Sequence, residues 1–480
     1  MRSRTNLSPV SHLAIDVDRQ AGPPLHVQIE ASIRGRIRSG VLPAGVALPP
    51  TRALAGELGV SRGVVVEAYA QLVAEGYLTS RSGSYTQVAP RAAAVPQAPV
   101  APEPANASRR GSGVDFGYGR GDLQAFPRAA WLRSARRALA EAPDERLGYL
   151  DGCGAIELRT ALAAYLNRVR GTEADPHRIV ITNGYAQAVS LLLGVLAGRG
   201  ATTLAVEDPS SVDDARAVAR GVGMRVIGVP VDEGGAQVDA VTGLDADVLI
   251  LTPSHQWPIG GVLSPEARAA VIAWAQRTGA LVIEDDYDAE YRYDRAPIGA
   301  IQGLDPDRVV YAGTASKTLA AGFRLGWLIL PPDLVQPVAE AKLLADRGSP
   351  ILDQLTFADF LSRGEFDRHL RRMRPIYRRR RDALLAALAE HLPELEPVGI
   401  AAGLHLVAWL PDHLDEDAVV AAAAAEGVTV APVSRFRLQA ARRGGLIFGY
   451  SSLDERAIAN GIVRLGRALG AVQRDSARTQ

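Results

Sequence analysis

Cysteine is nearly absent: Cys153 is the sole example in 480 residues. That excludes an intrachain disulfide and a cysteine-cluster metal site, so no metal is expected, and it suits a reducing cytoplasm. Lysine is almost as scarce. Lys317 and Lys342 are the two lysines among 53 Lys plus Arg, so chemistry that needs a side-chain primary amine has two candidates. Long apolar runs are missing too. None reaches the ~18 residues of a membrane span, and the opening MRSRTNLSPVSHLAIDVD lacks the apolar stretch of a signal peptide. Neither a membrane location nor export is expected. There is no excess of charge of one sign: Lys plus Arg and Asp plus Glu each number 53. A protein that coats nucleic acid would be more basic, but a small basic domain on a neutral body is compatible. Residues 1–90 carry nine Arg against six Asp plus Glu.

What is present divides the chain in three. Residues 89–113, APRAAAVPQAPVAPEPANASRRGSG, are rich in Ala and Pro and have no periodicity, which predicts a partly extended linker. It separates a head, residues 1–88, from a body, residues 114–475. In the head, Leu25, Ile29, Ile33 and Ile37 form an i, i+4 stripe that predicts a helix from Leu25 to Ser39. A second helix is expected over Thr51–Leu58, stopped by Gly59, and a third from Arg62 to about Glu75, with Ser61 as its N-cap. Residues 77–79 and 85–88 read as two short strands around a turn at 81–84. The body alternates apolar strands with amphipathic helices. Strands are expected at Ile179–Thr182, Thr203–Val206, Arg225–Val229, Val248–Leu251, Leu281–Glu284, Val309–Tyr311 and Gly326–Leu330. Helices such as Ala186–Ala197 and Pro265–Arg277 lie between them. The pattern implies an α/β fold with a large, doubly wound, mostly parallel sheet, followed from about Glu394 by a smaller α+β part.

Helix, tight turn, helix and hairpin make a winged helix-turn-helix, whose third helix enters the major groove of DNA. The segment LPPTRALAGELGVSRGVVVEAYAQLVAEGYLTSRSGS resembles the GntR family of bacterial regulators over residues 23–88. The resemblance places Arg52, Ser61, Arg62, Gly63 and Val64 on DNA-facing positions and Ser82 and Gly83 at the wing tip. Two arginines and a serine at a helix start are suited to phosphates and base edges. Val66 stands where some relatives have a polar or basic contact residue.

In the body, GTASKTLAAGFRLGW (313–327) follows the strand Val309–Tyr311. Lys317 can form a Schiff base with an aldehyde cofactor, while Thr314, Ser316 and Arg324 supply phosphate donors. Lys342, in Glu340-Ala-Lys342-Leu-Leu-Ala, reads as an ordinary surface position of a helix. Acidic residues end the strand LVIEDDY (281–287), where doubly wound sheets place ligand groups. Thr182-Asn183-Gly184-Tyr185 opens a helix directly after a strand, a good place for a phosphate. In this order the elements resemble fold-type I aminotransferases over about 114–470. The resemblance implies pyridoxal 5′-phosphate, with Lys317 as the Schiff-base lysine, Asp285 on the pyridine nitrogen and Tyr287 on the phenolic oxygen. Gly184, Tyr185, Thr314, Ser316 and Arg324 would surround the phosphate. Tyr149 would reach the phosphate of a partner subunit, so a homodimer is implied.

A GntR head on such a body resembles the MocR (GabR-like) subfamily. TPSHQWPIG (252–260) strengthens the resemblance: aminotransferases usually have an asparagine where Trp257 stands. His255 is expected beside the cofactor or in a structural role. The run RRMRPIYRRRR (371–381) reads as a surface helix of the body. Ser210 and Ser211 replace the Gly-Tyr of many relatives, so ring stacking must come from elsewhere, and Asp213 stands where some relatives have a basic ligand-binding residue. Arg435 and Arg443 are candidates for an effector carboxylate. The resemblance implies a cytoplasmic transcription regulator that binds operator DNA and responds to pyridoxal phosphate, to an amino compound or to both. An aminotransferase with a fused DNA-binding head is the alternative.

Overall fold

A computed structural model describes residues 13, 15–20, 22–80, 85–90, 113–149, 151–210, 213–293, 298–439 and 443–479. The chain divides into two units, Met1–Arg109 and Arg110–Gln480. Most of the expected linker, and the wing tip with Ser82 and Gly83, lie outside the described residues.

In the first unit the isoleucine stripe produces the helix Leu25–Arg38, with Ile29, Ile33 and Ile37 fully buried. The helices Thr51–Leu58 and Arg62–Ala74 follow. Gly59 separates them at φ 63°, a left-handed cap that glycine adopts without a Cβ penalty. Leu54, Val65, Ala68 and Leu72 close on the isoleucines to form one core. Arg34 ties the first helix to the end of the third through a bidentate pair with Glu75, at 2.7–2.9 Å. Leu78–Thr79 pairs antiparallel with Gln87–Val88, as a wing requires.

In the second unit the apolar strands assemble into one sheet of eight. Across it run Ile179–Thr182, Gly326–Ile329, Val309–Thr314, Leu281–Asp286, Val248–Leu251, Thr203–Asp208, Arg225–Asp232 and Gly235–Ala236. Five neighbouring strands, from Val309–Thr314 to Arg225–Asp232, are parallel. Gly326–Ile329 runs antiparallel to both of its neighbours. Both sheet faces are covered: Val180, Val206, Ile250 and Ile283 belong to one core cluster, and Ala205, Leu249 and Val282 to another. The smaller part is an antiparallel sheet ordered Glu396–Val398, His405–Trp409, Gly445–Gly449 and Ala431–Pro432. The arginine run at 371–381 lies in the helix Glu365–His391. Its members do structural work as well as facing solvent: Arg380 pairs with Asp122 at 2.9 Å, and Arg374 donates to the Glu290 carbonyl at 2.7 Å. Among the described residues no helix is long and apolar enough to cross a membrane.

Lys342 departs from its expected exposure. Leu334, Val338 and Lys342 fall at i, i+4 and i+8 on the buried side of the helix Pro332–Asp346. The Lys342 side chain is 0 % exposed, and its ammonium lies 2.5 Å from Asp346 Oδ2. The charge at one position hid a helical stripe.

Candidate functional site

Parallel strands that end at the same edge of a sheet bring their following loops together. Here that edge carries a cavity of about 310 Å³. Tyr185, Asp285, Tyr287, Thr314, Ser316, Lys317 and Arg324, all singled out from sequence, line it. So do Tyr118, Gly119, Trp257, Leu404 and His405, of which sequence reading marked only Trp257.

Lys317 sits in a wide helical turn, Ser316–Ala320, just past the strand Val309–Thr314. Its ammonium donates to the Gly119 carbonyl at 2.7 Å. Burial lowers its pKa against the opposing pull of Asp285 and Asp288. A lowered pKa increases the fraction of free amine, the nucleophilic form.

Asp285 and Asp286 are neighbours on one strand and therefore point to opposite faces. Asp286 belongs to the back of the sheet. Its carboxylate accepts Arg170 Nε and the Tyr311 hydroxyl, each at 2.7 Å. Asp285 faces the cavity. Burial pushes its pKa up to about 8; Tyr185's hydrogen bond and Lys317 oppose the rise, while the Asp286 charge adds to it. A carboxyl in that condition keeps its proton near neutral pH and can donate it to a ring nitrogen, pairing with that nitrogen once the proton has moved.

Tyr287 is held from behind. Its hydroxyl lies 2.9 Å from His255 Nδ1 and donates to the His255 carbonyl at 3.0 Å. His255 Nδ1 also lies 3.1 Å from both Asp288 carboxylate oxygens. His255 is thus one contact further out than the lining: it orients Tyr287. His405, stacked on Tyr287 and tilted against His255, is buried, and burial together with His255 pulls its pKa to about 3, so it is neutral.

Gly184, Ser316 and Arg324 make a cradle beside the helix Tyr185–Gly198. Gly184 has φ 81°, and a Cβ there would come within 2.6 Å of Arg324 Nη2. Arg324 itself is left-handed, at φ 50°, which aims its guanidinium back at the Asn183 carbonyl, 2.9 Å away. Thr314 and Ser316 hydroxyls lie 2.9 Å apart. Helix N-terminal amides, hydroxyls and a guanidinium form a donor set for a phosphate. With an amine and a buried carboxyl elsewhere in the same cavity, the residues fit pyridoxal phosphate. Behind the cradle, Lys342 and Asp346 brace its loop: Asp346 Oδ2 accepts Asn183 Nδ2 and Gln187 Nε2, each at 2.7 Å.

Three expected residues lie elsewhere. Tyr149 is 92 % exposed and does not line this cavity. Arg435 is exposed beside Phe436. Arg443 pairs with Glu396 and lines a different cleft.

In the first unit Arg52, Ser61, Arg62 and Gly63 are exposed, and Val64 is partly so. Ser61 occupies the N-cap position, but its side chain makes no capping bond. The hydroxyl stands at the helix start without capping it. Val66 is 44 % exposed on the same helix.

Comparison with known proteins agrees with both halves. Residues 25–88 match the bacterial regulatory proteins of the gntR family, and residues 116–452 match aminotransferase class I and II. The probable rhizopine catabolism regulatory protein MocR of Rhizobium meliloti is 33 % identical, over 96 % of this chain and 97 % of its own. The pyridoxine biosynthesis transcriptional regulator PdxR of Corynebacterium glutamicum is 31 % identical, over 93 % and 96 %. Among solved structures, the α-aminoadipate aminotransferase LysN of Thermus thermophilus, in complex with N-(5′-phosphopyridoxyl)-L-leucine, superposes with a TM-score of 0.68. It is 28 % identical, and the match covers 75 % of this chain and 93 % of that one. The chain therefore belongs to the MocR-like branch of the GntR-family helix-turn-helix transcription regulators, in which the body is an aminotransferase class I and II domain.

Proposed function

We propose that the body binds pyridoxal phosphate through Lys317 and that occupancy, alone or with an amino compound, changes operator binding by the head. The observation that carries this reading is the convergence of Lys317, Asp285, Tyr287, Ser316 and Arg324 on one cavity. When bound, the cofactor supplies an aldehyde that condenses with a primary amine and a ring that withdraws electrons. The chain's residues then have separate tasks. Lys317 offers its amine, with burial favouring the neutral form. Asp285 holds a proton on the ring nitrogen. Tyr287, steadied by His255, donates to the ring oxygen. Gly184, Tyr185, Thr314, Ser316 and Arg324 hold the phosphate. Tyr118 and Trp257 wall off water. The exposed Tyr149 is free to reach a second copy of the chain, which supports a homodimer. Arg52, Ser61, Arg62, Gly63 and Val64 present the DNA-reading face, in the cytoplasm where the operator is.

The test is spectroscopic. Purified protein given pyridoxal phosphate is expected to absorb at about 420 nm and Lys317→Ala to lose the band. A colourless wild type in excess cofactor overturns the reading. Adding cofactor should also shift operator affinity by a coupling of about 1–3 kcal/mol.

A second reading, turnover as an aminotransferase, is favoured by the same convergence of Lys317, Asp285 and Tyr287. Steady-state amino transfer at about 1 s⁻¹ or faster would establish it.

A further inference from the structure

Arg437, between the two arginines singled out from sequence, lines a cleft that the cofactor reading does not use. The cleft is about 410 Å³ and shares no lining residue with the Lys317 cavity. Pro209, Pro230 and Ile259 give it apolar wall; Trp409, Arg437 and Arg443 give it an aromatic ring and two guanidinium groups. Both arginines sit over Trp409, their central carbons 5.7 and 5.8 Å from the ring centre.

The two differ in what holds them. Arg443 is ion-paired with Glu396 and close to the Leu410 carbonyl. Arg437 is half-buried, and among the described residues its guanidinium makes no hydrogen bond or close ion pair; it lies over the Trp409 ring and feels the charges of Glu416 and Asp208 at longer range. The acids near it are already engaged. Asp208 accepts the Leu438 and Gln439 amides at 2.7 and 3.1 Å. Glu416 accepts the Gly445 amide at 2.7 Å and those of Val433 and Ser434 at 3.1 and 3.2 Å. The guanidinium nitrogens of Arg437 are not among the buried atoms that lack a partner, so their donors stand open to the cleft, where a ligand's acceptors can replace water.

We propose that this cleft is a second ligand site, which takes a small organic carboxylate: the carboxylate on Arg437 and Arg443, the hydrocarbon body against Pro209, Pro230 and Ile259. A planar fork matches two carboxylate oxygens, and its volume is that of a small-molecule site. The site adjoins the first without merging with it. Phe436, next to Arg437, packs on Trp257 at 4.5 Å between ring centres, and Trp257 lines the Lys317 cavity.

Calorimetric titration of the full-length protein, saturated with pyridoxal phosphate, tests this with benzoate and hexanoate as probes and benzamide and hexanamide as uncharged controls. The carboxylates should bind and the amides should not. Arg437→Gln should weaken binding about tenfold or more, Arg443→Gln less. The wild-type protein without cofactor should bind the carboxylates as tightly as the saturated protein, so this site and the cofactor reading fail or stand separately. Where Arg437→Gln loses its native circular dichroism, Arg437→Lys replaces it; that variant keeps the charge without the fork and should still weaken binding several-fold. Equal binding of amides and carboxylates, full affinity in the Arg437 variants, or loss of binding in the cofactor-free protein would each overturn the proposal.

Discussion

Arg170 offers the sharpest test of how the sheet presents Asp285 to the cavity. It ends the helix Ile156–Arg170 with a fully buried side chain. Its Nε donates to Asp286 Oδ2 at 2.7 Å, one Nη to Ser254 Oγ at 2.9 Å and the other to the Ile298 carbonyl. Burial alone would weaken the charge, but Asp286 and Tyr311 more than offset that, and the guanidinium stays protonated. Arg170→Leu leaves Asp286 as a buried carboxylate with no cation. Breaking such a pair from one side costs about 3–5 kcal/mol, enough to lower the melting temperature by an amount on the order of 5–10 °C in a body of this size. Asp286→Leu strands the guanidinium and should cost about as much. The double variant strands neither charge. It should be more stable than the summed single losses predict, by at least about 2 kcal/mol. Urea unfolding of all four proteins, followed by tryptophan fluorescence, measures the cycle. Strict additivity would show that the 2.7 Å contact has no energetic coupling and that Asp286 is held by other groups.

Three further outcomes are expected. Burial raises the carboxyl of Asp285 to about 8 and those of Glu207, Glu284 and Glu290 to about 7. The folded state thus holds protons that the unfolded chain loses near pH 4, so stability falls as pH rises through 7 to 8. Cofactor-free protein should melt at lower temperature at pH 8.5 than at pH 6, and a flat or rising profile in scanning calorimetry contradicts this. Gly184→Val places a branched Cβ at φ 81° within 2.6 Å of the Arg324 guanidinium; cofactor affinity, read from the visible band on titration, should fall at least about tenfold. Arg52→Ala and Arg62→Ala should each weaken operator binding and reduce the slope of log K against log salt by about 1 where the arginine contacts phosphate, as fluorescence anisotropy over a salt series would show.

Local chemistry was legible in the sequence wherever one segment decides the outcome. The Ile stripe, Gly59 and the existence of the strands before Asp285 and Lys317 required nothing beyond periodicity and turn residues, although those strands run on to Asp286 and Thr314, past the expected Glu284 and Tyr311. The direction of Gly326–Ile329 was not legible. Between Tyr311, where periodicity ends the preceding strand, and Gly326 lie residues 312–325, long enough for the crossover of a parallel pair; the extension of that strand to Thr314 and the turn Ser316–Ala320 use up that length and return the chain antiparallel. Other features are set by distant packing. Tyr118 and His405 reach the cavity from a Gly-rich loop and from a strand of the small sheet, and no spacing links them to Lys317. Which of Arg435, Arg437 and Arg443 faces a cleft depends on the tight turn Ser434–Phe436, which interrupts the alternation that would have sorted them. Lys342 is the converse case: its i+8 position relative to Leu334 puts it on the buried stripe, whereas its charge alone predicts exposure.

Trp257 lines the Lys317 cavity and packs on Phe436, next to Arg437. The position holds an asparagine in the aminotransferases that the motif resembles, a side chain that could donate to the ring oxygen. Here it holds an indole, 4 % exposed, packed on Phe436 at 4.5 Å, Tyr118 at 5.3 Å and His405 at 5.8 Å. A polar contact with the ligand has been exchanged for apolar contacts with the small sheet and the Tyr118 loop. On this side the polar group lining the cavity is Tyr287, fastened to His255, which Asp288 holds in turn. An enzyme needs groups that strengthen their hold as charge develops during reaction. A sensor needs occupancy of a cavity to alter how its walls pack. Replacing a donor with a ring that spans the cavity wall and the Phe436–Arg437 turn weakens the first capacity and supplies the second, which is why regulation, rather than turnover, is the function that this arrangement supports best.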